Sequence, residues 1–122
     1  MYSQKYIEHF SNPKNIGSIP DPDAACNVVN TEGGCFDNVD VTVKIENGVI
    51  TELKYKLKAC SGTITVFSLL SEIIVGKTPE ELDMITFDKI SDLLGGMPEK
   101  KHHSIRLALE AVEKIKKEII NK

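Results

Sequence analysis

Apolar and polar residues alternate most regularly in two stretches joined by Asn47-Gly48. Val39, Val41, Val43 and Ile45 interleave with Asn38, Asp40, Thr42 and Lys44, and Leu53, Tyr55, Leu57 and Ala59 interleave with Lys54, Lys56 and Lys58. A period of two is that of a half-buried strand, and Asn-Gly between two such runs favours a two-residue hairpin turn. The pattern predicts antiparallel strands over Val39–Glu46 and Val49–Ala59. Pairing about the turn places residues near 37 across from residues near 58, give or take a bulge. Cys35, Asp37 and Cys60 then share the far end of the hairpin.

At Cys60 the period changes. Ser61-Gly62 breaks the alternation, and Ile64, Val66, Phe67, Leu70, Ile73 and Ile74 repeat at helical spacing until Gly76. Cys60 thus stands between a strand and a helix N-terminus, where unpaired N–H groups and the positive end of the dipole favour a thiolate.

The remaining chain supplies short elements. Ser3 caps a predicted helix with Tyr2, Tyr6, Ile7 and Phe10 as its apolar face, ended by Asn12-Pro13. Residues 11–25 are rich in Pro, Asn, Asp and Gly and form a long loop. Cys26–Asn30 suits a short edge strand, followed by the permissive run Thr31-Glu32-Gly33-Gly34. Thr78-Pro79-Glu80-Glu81 reads as a capping box with proline at the first helical position. Phe87–Leu94 gives another helical turn or two. Ile105, Ala108, Leu109, Val112, Ile115 and Ile119 form the stripe of a last helix, with His102 and His103 at its start. Helices that follow a small antiparallel sheet cover mainly one of its faces, so the expected class is α+β.

Length and charge narrow the function. A chain of 122 residues suits one domain spanning 1–122. The net charge is −3 and the lysines are dispersed, which argues against nucleic acid or an anionic membrane as partner. No apolar run approaches a membrane span, and residues 1–10 do not resemble a signal peptide, so a cytoplasmic location is expected. Three cysteines without compact spacing speak against a disulfide scaffold and for reduced thiols or metal ligands. Two cysteines, an aspartate and a histidine suit zinc, and cysteine with histidine also holds iron–sulfur clusters. On the residues alone the bland alternatives stay open: Cys60 in the core, Cys35 a loop thiol, Asp37 a strand start, His102 and His103 an exposed helix start. Cys26 is read as a bystander.

The segment Tyr2-Ser3-Gln4-Lys5-Tyr6-Ile7-Glu8-His9-Phe10-Ser11-Asn12-Pro13-Lys14-Asn15-Ile16-Gly17 resembles the N-terminal signature of the U-type iron–sulfur cluster assembly scaffolds, the IscU, SufU and NifU N-terminal domain family. The resemblance runs nearly the whole chain. Cys35-Phe36-Asp37 matches the family's first cysteine and the aspartate two residues on, with Phe36 in place of glycine. Lys58-Ala59-Cys60-Ser61-Gly62 matches the second cysteine. Lys100-Lys101-His102-His103 falls where the family has histidine and its third cysteine, so that cysteine is here His103. The resemblance implies a scaffold, not an enzyme, that holds a transient [2Fe–2S] cluster or zinc through Cys35, Asp37, Cys60 and His103, with His102 as auxiliary ligand or proton donor. It implies a cysteine desulfurase as sulfur source and apo iron–sulfur proteins as recipients, in a monomer or weak homo-oligomer. Met97-Pro98-Glu99-Lys100 is similar to the family's Leu-Pro-Pro-Val-Lys motif at Pro98 and Lys100, which points to a chaperone or co-chaperone. With imidazole for thiolate, the site carries one negative charge fewer. Two rivals remain: a catalytic zinc enzyme with Glu32 or His9 as base, and a metal-free module that only binds the desulfurase.

Overall fold

A computed structural model describes residues 2–32 and 34–121. Gly33, part of the permissive run, lies outside the described residues. The elements run α1 (Gln4–Ser11), β1 (Ala24–Asn30), β2 (Asp37–Glu46), β3 (Val49–Lys58), α2 (Ser61–Ile73), a 3-10 turn (Glu80–Met84), α3 (Phe87–Leu93), a second 3-10 turn (Glu99–Lys101) and α4 (His102–Ile120). The strands form one antiparallel sheet in the order β1-β2-β3.

The hairpin turns as the sequence predicts. Asn47 and Gly48 both take positive φ, 53° and 80°, the backbone of a tight primed turn that asparagine and glycine tolerate best. Ile45 pairs with Ile50, but a bulge between Lys44 and Ile45 shifts the register, so Lys44 pairs with Glu52 and Asn38 with Lys58. The far end of the hairpin is therefore displaced by one residue from simple counting, and Asp37 still lies beside the end of β3.

The inner face of the sheet carries Val28, Val39, Val41, Val43, Leu53 and Tyr55, all buried. Against it pack Val66, Phe67 and Leu70 of α2 and Ile105, Ala108, Val112 and Ile115 of α4. The outer face shows Asn27, Asp40, Lys56 and Lys58 to solvent. The fold is thus α+β with helices on one face of a three-stranded sheet. Among the described residues no helix is long and apolar enough to cross a membrane.

Both outer edges of the sheet are engaged. Along β3, Gly17 N–H donates to the Tyr55 carbonyl (2.9 Å), and Ile16 bridges to Tyr55 in parallel. Along β1, Ala25 N–H donates to Glu118 Oε2 (3.1 Å) and Lys114 Nζ to the Asn27 carbonyl (3.0 Å), both from α4.

Helix α1 differs from expectation in the face it buries. Ser3 caps it, accepting from Tyr6 N–H at 3.0 Å, but the residues turned inward are Tyr6 and His9, while Ile7 and Phe10 are exposed. Steps of 100° put Tyr6 and His9 on neighbouring positions of one stripe, and that stripe docks through polar tips. Tyr6 Oη lies 2.9 Å from Ser61 Oγ, and His9 Nδ1 lies 2.7 Å from Ser68 Oγ. The Thr78/Glu81 capping box forms, with Thr78 N–H donating to Glu81 Oε1 (2.9 Å) and Glu81 N–H to Thr78 Oγ1 (3.2 Å), but it opens a 3-10 turn instead of an α-helix.

Burial pushes the His9 imidazole below its ordinary value, against the pull of Glu72 at 3.7 Å. The unfolded chain therefore binds the proton first. His9's contribution to stability is full above its unfolded value of about 6.5 and is lost as the pH falls through the lower folded value. The expected outcome is a urea midpoint that drops as the pH falls below about 6.5, with part of the drop absent in His9→Gln.

Candidate metal centre

Three segments meet at one end of the sheet. The β1–β2 loop brings Cys35, the corner after β3 brings Cys60, and the first turn of α4 brings His103. The sulfurs of Cys35 and Cys60 and a ring nitrogen of His103 all lie within 4.8 Å of one another. Both cysteines are half-buried free thiols, and His103 is 7 % exposed. Phe36, the next residue after Cys35, is 60 % exposed.

Cys60 caps α2 with extended backbone (φ −75°, ψ 168°). Its sulfur lies 3.7 Å from His103 Nε2, 3.6 Å from Thr63 Oγ1 and 3.9 Å from Ser104 Oγ. The sulfur therefore sits at the N-terminus of α2, whose dipole favours negative charge there, and meets side chains from the first turn of α4. Gly62 permits the approach: a Cβ at this position would stand 2.9 Å from Ser104 Oγ and 2.9 Å from Lys101 Cδ.

Asp37 lies beneath the cluster with 0 % exposure. Its Oδ1 accepts from Cys60 N–H (2.9 Å), and its Oδ2 accepts from Asn30 Nδ2 (3.1 Å) and lies 3.4 Å from His103 Nε2. Both carboxylate oxygens are thus engaged, and Asp37 orients the corner of Cys60 and the ring of His103. The same Nε2 faces Asp37 and Cys60. A proton on it bonds the carboxylate, whereas a metal takes its lone pair only once the proton has moved to Nδ1 or left.

Burial opposes ionisation of Cys60, but the Thr63 N–H and hydroxyl and the His103 ring outweigh it and bring the thiol down to about 7. Cys35 is pushed up, by desolvation and then by the neighbouring Cys60 sulfur. The first negative charge of the pair therefore belongs on Cys60. Lys101 loses some hydration in the site, yet Cys60 and Cys35 hold its ammonium above its ordinary value. The expected result in metal-free protein is alkylation of Cys60 before Cys35 as the pH rises through about 7, read by peptide mass mapping.

The other residues singled out in the sequence stand elsewhere. His102 places Nε2 3.0 Å from the Met97 carbonyl and packs edge-on to Phe87 at 4.9 Å, so its ring is engaged away from the thiols. The difference is helical: neighbours on α4 point 100° apart, and only one faces Cys60. Pro98 precedes the 3-10 turn and accepts from Lys101 N–H at 2.8 Å, and Lys100 is exposed on that turn. Cys26 lies under α4 with its thiol toward the Ala111 carbonyl, and burial pushes it up to about 11. His9 belongs to the α1 dock. Glu32 lines a cleft of about 230 Å³ with Asn30, Arg106 and His103. Asn30, Thr63, Ser104 and Lys101 escaped the sequence reading. Thr63 alone had a positional signal, three residues after Cys60 in the first turn of α2.

The family model of the NifU-like N-terminal domain matches residues 1–120. The chain belongs to this family. Curated members named iron–sulfur cluster assembly scaffold protein IscU include one from Archaeoglobus fulgidus (IscU 1), 36 % identical over 114 residues, covering 93 % of this chain and 73 % of the relative. Another, from Haemophilus influenzae, is 35 % identical over 115 residues and covers 92 % and 90 %. Among solved structures, a NifU-like N-terminal protein of Brucella abortus superposes with a TM-score of 0.75 at 23 % identity, covering 98 % of this chain and 94 % of that one. A scaffold protein for the SUF system from Fervidobacterium islandicum gives 0.71 at 16 % identity, covering 94 % and 96 %. At these identities the two structures speak for the fold. In this NifU-like chain, the donors that meet at the sheet's end are two thiols and an imidazole.

Proposed function

We propose that the protein is a scaffold on which a [2Fe–2S] cluster is built and from which it passes to apo-proteins. The observation that carries this reading is the convergence of Cys35, Cys60 and His103 within 4.8 Å, from three segments far apart in sequence, at a half-exposed end of the sheet. The names of the chain's relatives point the same way. Soft sulfur and imidazole donors fit iron–sulfur chemistry, and a site near the surface suits cargo that must leave. Asp37 is the fourth donor, and it becomes free for metal when Cys60 N–H and Asn30 find other partners. His102 lends a proton or an auxiliary nitrogen only after its ring leaves Met97. A cysteine desulfurase supplies sulfur to Cys35 or Cys60, and Pro98 and Lys100 offer an exposed turn to a chaperone. The scaffold works in the cytoplasm as a single domain, without catalysing a reaction of its own.

Zinc is the second reading, favoured by the same donors. A tetrahedral ion with Zn–S near 2.3 Å and Zn–N near 2.0 Å holds its ligands roughly 3.3–3.8 Å apart, so small shifts would close the ring of donors on one ion.

Anaerobic reconstitution with iron and sulfide, followed by absorption spectra and metal analysis, tests the proposal. The wild type is expected to gain iron and acid-labile sulfide in equal amounts and Cys60→Ala to gain neither. Equal spectra and equal metal content in the two proteins would sink it.

A further inference from the structure

Thr63 and Ser104 form a pair of hydroxyls sealed at the junction of α2 and α4. Both residues are 0 % exposed, and their oxygens lie 2.9 Å apart. Each hydroxyl carries one proton, and a buried hydroxyl proton needs an acceptor. One of the two is used between the oxygens. For the other, the only further partner among the described residues is the Cys60 sulfur, at 3.6 Å from Thr63 Oγ1 and 3.9 Å from Ser104 Oγ. The count holds in either direction of the hydroxyl–hydroxyl bond, because whichever oxygen accepts keeps its own proton for sulfur. It holds for a neutral thiol too, whose S–H closes a three-membered ring of donors.

From this count we infer that Thr63 and Ser104 are positioning residues that donate an O–H···S hydrogen bond to Cys60 and set the character of its sulfur as a ligand. The inference deepens the proposed cluster-scaffold reading and rests on it for its function. A hydrogen bond to a ligating sulfur withdraws charge from it, weakens its donation to metal and raises the potential of a cluster it holds. Among the described residues no hydroxyl reaches the Cys35 sulfur: its backbone N–H donates to the Glu32 carbonyl at 3.3 Å, and its side chain is half exposed. The two sulfurs of the site are therefore unequal. Cys60 is fixed and damped by hydroxyls, and Cys35 sits on a loop without them.

The test removes the protons while keeping the shape. Thr63→Val with Ser104→Ala abolishes both donors, and Thr63→Ser keeps the pair. Cobalt(II) is the probe, since its thiolate-to-metal absorption bands move to lower energy when a sulfur loses a hydrogen bond. The double variant is expected to show a red shift of these bands and a lower midpoint potential for the reconstituted cluster, with Thr63→Ser restoring both. Thermal melting establishes that the variants are folded, and Thr63→Ala with Ser104→Ala, which also removes both donors, serves in the same way should the first double variant fail. Bands and potential unchanged in a folded variant would overturn the inference.

A metal-free measurement separates this outcome from failure of the functional reading. With Cys26→Ser and Cys35→Ser in the background, Cys60 is alkylated at about pH 10, above the ordinary cysteine range. Loss of the hydroxyl donors is expected to raise the rate severalfold. An equal rate would refute the hydroxyl pair whether or not the wild type takes up metal. A raised rate in a protein that takes up neither cobalt nor a cluster would uphold the pair and remove the scaffold reading.

Discussion

Gly62→Ala lowers stability by about 1–3 kcal/mol, the usual cost of forcing a methyl into a closed contact, and weakens metal uptake in the same protein. The new Cβ would meet Lys101 Cδ and Ser104 Oγ at 2.9 Å and Lys101 Cβ at 3.3 Å. The lysine tip can swing aside. Ser104 cannot do so freely, because its buried hydroxyl is held by Thr63. Helix propensity works in the opposite direction, by up to about 1 kcal/mol, and less in a first turn than mid-helix. The collision should prevail, driving the starts of α2 and α4 apart and carrying His103 away from Cys60. Urea denaturation and zinc titration measure the two effects. A variant that melts like the wild type and binds zinc equally well would mean that the close approach at Gly62 is not needed.

His103→Cys lowers the midpoint potential of a reconstituted cluster by on the order of 100 mV or more, to judge from the spread between thiolate-only and mixed imidazole centres. The exchange puts a thiolate where a neutral ring stood. Its charge would lie beside Asp37, which has no exposure and already sits 3.4 Å from His103 Nε2. With a cluster bound, two negative groups at that depth repel, so Asp37 is expected to turn outward; in the metal-free variant the buried thiol stays protonated, and stability falls because Asp37 loses the His103 ring as its partner. Spectroelectrochemical titration against the wild type reads the potential, and a potential within a few tens of millivolts of the wild type would show that His103 does not ligate.

The sheet and the neighbourhood of the site are legible in the sequence because they depend on local rules. The alternation along β2 and β3 and the turn at Asn47-Gly48 pair the hairpin, and the change of period at Cys60 marks the strand-to-helix corner. Counting outward from the turn brings Asp37 near Cys60, and the bulge after Lys44 costs it one residue. What sequence could not carry is direction. Tyr6 and His9, not Ile7 and Phe10, face inward from α1 because hydroxyls on α2 offer them partners. Two adjacent histidines look equivalent on paper, yet one ring faces Cys60 and the other takes the Met97 carbonyl. The burial of Asp37 and the approach at Gly62 depend on contacts between residues far apart in the chain, as between Asp37 and Cys60 or Gly62 and Ser104. No periodicity records them.

The engagement of both rims of the sheet limits how copies of the molecule can associate. A strand from another chain would have to displace the segment around Ile16 on one side or break the lysine and glutamate contacts of α4 on the other. Association by extending the pleated ribbon into a neighbour is therefore disfavoured. A partner meets less resistance at the end of the sheet that carries Cys35 and Cys60 than along these partly occupied borders.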